Sequence, residues 1–146
     1  MPLNDDGNLE QVMAEAMRQI AGPDSVSFVD TWGKGSTDMG DVSAIMPAVH
    51  PHCSGSRGKG HGADYFIEDR RLACLLPAQC LAATLALLLE DDASRACRVV
   101  AEAHPRFPSK EAYLAAIDRF EMTWDAVAYG EDGTITLRVS GREAEQ

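Results

Sequence analysis

Apolar residues recur at Leu9, Val12, Met13, Ala16, Met17 and Ile20, the spacing of one helical face. Asn and Asp residues precede this stretch and Gly22-Pro23 follows it, so both ends of a first helix are marked. Residues 26–29 are rich in β-formers between turn residues and predict a short strand. Ser36 is placed to cap a short helix running towards Ala44, and 45–53 predicts an extended segment whose prolines suit a sheet edge. From Leu75 onward the pattern becomes helical. Pro77 fits a first helical turn, and 78–89 is apolar on nearly every side, which predicts a helix buried on more than one face. A second helix is expected over 93–103 with Ala96, Cys97 and Val100 inward. A third follows Pro108-Ser109, carrying Tyr113, Ile117, Phe120 and Trp124 as a stripe. Alternation in 126–129 and 134–139 about Gly-Glu-Asp-Gly predicts a closing hairpin.

Helices therefore outnumber strands, which indicates an α/β or α+β class with few strands for an independent sheet. With 146 residues and 15.8 kDa the chain has room for one compact domain and needs no disulfide staple. Its 45% hydrophobic and 25% charged content suits a soluble globular protein. The net charge of −10 argues against phosphate-backbone binding and against anionic membrane surfaces. No secretory signal opens the sequence, and the run 80–89 is shorter than the ~20 apolar residues of a membrane span. Cys53, Cys74, Cys80 and Cys97 lack Cys-x-x-Cys spacing, so reduced, mostly buried thiols in a cytoplasmic protein are expected.

The chemistry-bearing residues concentrate between Gly33 and Gly62, which hold seven of the twelve glycines and three of the four histidines. Such glycine density marks shaped loops. His50 and His52 stand two apart and share a face if the segment is extended. His61 follows Gly58-Lys59-Gly60, with Asp38 and Asp41 upstream, and imidazole with carboxylate is a hydrolytic-zinc ligand chemistry. His104, before Pro105, suits a helix C-terminus. The stretch 33–38 lacks the P-loop order and is explained by a glycine turn with a helix cap. A backbone cradle for a substrate carboxylate is the sharper alternative. Residues 54–71 carry four cations and three anions, against two and eight in residues 1–53, which a solvated loop explains most simply. No nucleophile elbow is present.

Taken together, Gly35-Ser-Thr-Asp-Met-Gly-Asp-Val-Ser43, Met46-Pro47 and Gly60-His-Gly-Ala-Asp-Tyr65 resemble the C-terminal part of zinc-dependent amidohydrolases of the aminoacylase and carboxypeptidase-like superfamily. The branch most similar is the p-aminobenzoyl-glutamate utilisation type, and the likeness covers roughly residues 2–113. It implies a partial three-layer, zinc-peptidase-like catalytic domain over 1–125, with 126–146 as a terminal hairpin and tail. By the same resemblance His61 matches the last ligand of a dinuclear zinc or manganese site. Gly35, Ser36 and Thr37 match the loop that meets the substrate carboxylate, while Asp38 and Asp41 support that loop or orient a ligand.

The family's remaining metal ligands and its catalytic glutamate lie in an N-terminal half that has no counterpart in this sequence. The expected function is thus hydrolysis of an amide in an N-acyl or aminobenzoyl amino acid or small peptide, with the chain inactive alone. Expected partners are that substrate and an N-terminal catalytic half or further copies of the chain, without nucleic acid or membrane. The alternative is a non-catalytic binding or assembly module on the same scaffold. A mononuclear site from His50, His52 and His61 is a third, weaker idea.

Overall fold

The computed structural model describes residues 1–29, 37–121, 123 and 125–137. The chain divides into two compact units, Met1–Pro108 and Ser109–Gln146. In the first unit, helix α1 (Gly7–Ala21) forms where the apolar spacing predicts it. The Asp6 carboxylate caps it by accepting from the Leu9 amide at 2.9 Å, and the Gly22 amide closes it on the Arg18 carbonyl. Helix α2 (Met39–Ser43) follows. Strands β1 (Ser56–Arg57) and β2 (Phe66–Ile67) make a small antiparallel hairpin, and a π-helical turn (Arg71–Leu75) leads into helix α3 (Leu76–Ala101).

Helix α3 is not one rod. Glu90 is extended, and Asp91, Asp92 and Ala93 take left-handed φ values of 49°, 54° and 60°, so the helix breaks after Leu89 and resumes towards Ala101. Its first limb packs on α1. Val12, Ala16 and Leu87 are the fully buried centre, with Ala83 and Leu88 against them. Beside this contact Arg95 bonds Glu15 at 2.7 Å, an exposed pair of the kind that adds little stability.

Several expectations fail here. Residues 26–29 and 45–53 form no strand, because no neighbouring strand is present among the described residues to complete a ladder. Phe28 instead lies under the Arg18 guanidinium, 5.8 Å from its ring centre. The stretch 78–89 is buried on one face only: Cys80, Thr84 and Leu87 are inward, whereas Leu81, Leu85 and Leu89 are 58%, 57% and 59% exposed. In the second limb Val99 is buried and Val100 and Cys97 face solvent, a shift of register set by the break at 90–93. Cys53, Cys74 and Cys97 are exposed, and Cys80 alone of the four thiols is buried. The 31 residues Arg71–Ala101 are long and apolar enough, by length and composition, to cross a membrane, contrary to the expectation from 80–89. The uninterrupted helix nevertheless ends at Leu89, where the acidic break begins.

The second unit contains helix α4 (Lys110–Ile117), capped by the Ser109 hydroxyl accepting from the Ala112 amide. Phe120, expected on its inward stripe, is 78% exposed beyond the helix end, and Trp124 lies outside the described residues. The predicted hairpin is present as β3 (Val127–Tyr129) and β4 (Ile135–Leu137), paired antiparallel; Val139 lies outside the described residues. In its turn the Thr134 hydroxyl and then the Thr134 amide donate to Asp132, holding that carboxyl below its ordinary value. The contribution is therefore complete above the ordinary aspartate range and disappears as pH falls through the lowered native value. The Thr134 amide resonance is expected to titrate with a midpoint below that of a free aspartate. Asp132→Asn should abolish this transition, and an ordinary midpoint would contradict the turn geometry.

Candidate functional site

The loop joining β1 to β2 carries His61 at its tip. Gly58 starts the loop with φ 91°, and a side chain there would collide with the Asp64 backbone. The loop then folds on itself: the Gly62 amide donates to the Lys59 carbonyl at 2.7 Å, and the Tyr65 amide to the Gly62 carbonyl at 3.2 Å. Asp64 lends its carboxylate to the Lys59 amide at 3.4 Å. His61 itself has φ 63°, a left-handed conformation uncommon for a residue with a Cβ, and its side chain is exposed. The imidazole is therefore presented to solvent, not set into hydrocarbon.

The base of this hairpin is fastened to the start of α3. The Glu68 and Asp69 amides both donate to the Gly55 carbonyl, at 2.9 and 3.0 Å. The Asp69 carboxylate accepts from the Arg71 and Leu72 amides, and its carbonyl from Ala73. Arg57 and Glu68 pair across the strands at 2.6 Å. This network escaped the sequence reading. Asp69 two residues before Arg71, at the onset of an apolar helical run, is the capping signal that could have exposed it.

Of the substrate-loop residues, Gly35 and Ser36 lie outside the described residues, as do Gly33 and Lys34, and so does the proposed Ser36 cap. Thr37 is half-buried at the entry to α2. Its hydroxyl accepts from the Met39 amide at 3.3 Å and its carbonyl from the Gly40 amide at 2.9 Å. The Asp41 amide bonds the Asp38 carbonyl, so three successive N–H groups at this helix start are used internally. Asp38 is the N-cap residue by position, without a side-chain cap bond, and the Asp41 carboxylate receives the Met1 amino group at 2.7 Å. Ser43 completes the brace, accepting from the Asn4 amide while donating to the Gly40 carbonyl.

The described residues do not assemble a dinuclear centre. Among them no group of three or more His, Cys, Asp or Glu side chains is gathered closely enough to hold a metal, and His61 stands as a single donor. His50, His52 and His61 are not gathered into such a group, although His50 and His52 do meet, with ring centres 5.6 Å apart. His104, expected at a helix end, lines a cavity of about 320 Å³ with Asn4, Asp6 and Glu102 near the start of α1. Burial pushes the Cys80 thiol pKa up, which suits a small core residue and not a nucleophile.

Comparison with known proteins returned no matching family model, no matching curated protein and no matching solved structure.

Proposed function

We propose that this chain is the C-terminal portion of the catalytic domain of a metal-dependent amidohydrolase, with a partial three-layer architecture, and that it contributes His61 as one ligand of a zinc or manganese site completed by other polypeptide. The observation that carries this reading is the presentation of His61: an exposed imidazole at the tip of a braced glycine loop, on a backbone conformation that costs on the order of 1–3 kcal/mol to hold. Non-glycine residues held in the left-handed region by a braced loop cluster at ligand-binding positions. Support also comes from the row Leu81, Leu85 and Leu89, an apolar helix face of the kind a larger sheet would cover. The substrate class remains an N-acyl or aminobenzoyl amino acid, or a small peptide, approached by the 35–37 loop.

Since the residues present do not make a metal centre, no catalytic step is assigned to this chain alone. At His61 the purified chain is expected to hold zinc or manganese only weakly, below one ion there per chain, and it should leave p-aminobenzoyl-glutamate intact. One tightly held ion per chain accompanied by hydrolysis would overturn the incompleteness argument. If an upstream open frame encodes the missing ligands, co-expression should restore activity, and His61→Ala should remove about 10³-fold or more of it. An unchanged rate in that complex would favour the non-catalytic assembly module instead.

A further inference from the structure

We propose that His50 and His52 form a two-imidazole site for a late first-row divalent ion of the nickel and zinc class, separate from His61 and independent of the hydrolase reading. Pro51 lies between them and fixes its own φ, which limits how the short segment joining the two rings can move. The two rings stand 5.6 Å apart between centres, tilted by 42°. An imidazole nitrogen holds such an ion at about 2.0–2.1 Å, which puts two rings sharing one tetrahedral ion roughly 5–6 Å apart, centre to centre. The observed separation falls in that range without movement of the backbone. Either nitrogen of each ring can be offered by rotation about the terminal side-chain bond.

The surroundings favour a cation. His50 and His52 line a cavity of about 330 Å³ together with Asp5 and Glu10, and no Lys or Arg is among the described residues that line it. Two nearby carboxylates lower the local potential at the ion's position. Because among the described residues no third His, Cys, Asp or Glu joins the pair closely enough to ligate, water completes the coordination sphere and the ion stays exchangeable. Imidazole donors then set the order of preference: nickel and zinc well ahead of manganese or magnesium.

Nickel titration of the chain, followed by the histidine C2–H proton resonances, tests the site. The signals of His50 and His52 should broaden together at low occupancy, before those of His61 and His104. His50→Gln and His52→Gln should each weaken nickel and zinc binding roughly tenfold or more. His104→Gln and Cys53→Ser should leave the affinity unchanged, the latter testing the exposed thiol next in sequence to His52. His52 is exposed, so His52→Gln decides the matter if His50→Gln perturbs the fold. The site is refuted by affinity within about threefold of the parent in His52→Gln, by a loss that follows His104 or Cys53, or by manganese binding as tightly as nickel.

Discussion

Gly55→Ala is expected to cost the first unit about 3 kcal/mol and to detach the His61 loop from α3. Gly55 has φ 109°, which any residue with a Cβ adopts only under strain. A methyl group there would also lie 2.6 Å from both the Ala73 amide nitrogen and the Asp69 carbonyl oxygen. Those are backbone atoms of the turn that starts α3, so neither can swing aside as a flexible side chain would. The same glycine's carbonyl is the acceptor for Glu68 and Asp69, so displacement removes two backbone hydrogen bonds at once. Hydrogen exchange should show Glu68 and Asp69 losing protection together, with a lower melting temperature. Gly60→Ala is the matched control: its position has open space around it, and the change should fall within about 0.5 kcal/mol of the parent. Equal effects from the two substitutions would refute the fastening of the hairpin to α3.

The second large effect separates the two faces of α3. Leu87 is 6% exposed and packs with Val12 and Ala16, so Leu87→Ala should cost about 2–4 kcal/mol through lost burial and the cavity left behind. Leu85 lies two residues away on the same helix but is 57% exposed, and Leu85→Ala should change stability by about 0.5 kcal/mol or less in the isolated chain. Denaturant titration followed by far-ultraviolet circular dichroism measures both. A cost at Leu85 comparable to that at Leu87 would mean that the outer face is already covered in solution, for instance by a second copy of the chain. Under the proposed function the outer row is instead waiting for other polypeptide. Leu85→Ala then becomes costly only in the assembled complex.

Legibility in the sequence followed the range of the interaction involved. The α1 pattern, its Asp6 cap and its Gly22 stop are all local, and they appear in the structure where the spacing predicts them. The Ser109 cap of α4 and the β3–β4 turn are equally local, since their hydrogen bonds close within a few residues. Strands at 26–29 and 45–53 failed because β-propensity needs a partner, and none is supplied by the described residues. Two helices on either side of 90–92 are legible in the pattern, but the inward face of the second is not, because the left-handed residues 91–93 rotate that limb. The candidate site was half visible. Glycine and histidine density pointed to 33–62, and the resemblance singled out His61, but the Gly55–Asp69 fastening depends on residues far apart in the pattern.

By itself, then, the amino-acid order determined the helices, the two ends of α1 and the terminal hairpin, because each rests on bonds between near neighbours or on one repeating apolar face. Tertiary structure alone decided how the second limb of α3 is turned after the break at 90–93, that the first limb buries only the face towards α1, and that His61 stands exposed on a left-handed tip while His50 and His52 approach each other. The physical reason is that burial and side-chain proximity depend on which surfaces find a partner. An apolar helix face has the same sequence whether it is covered or bare.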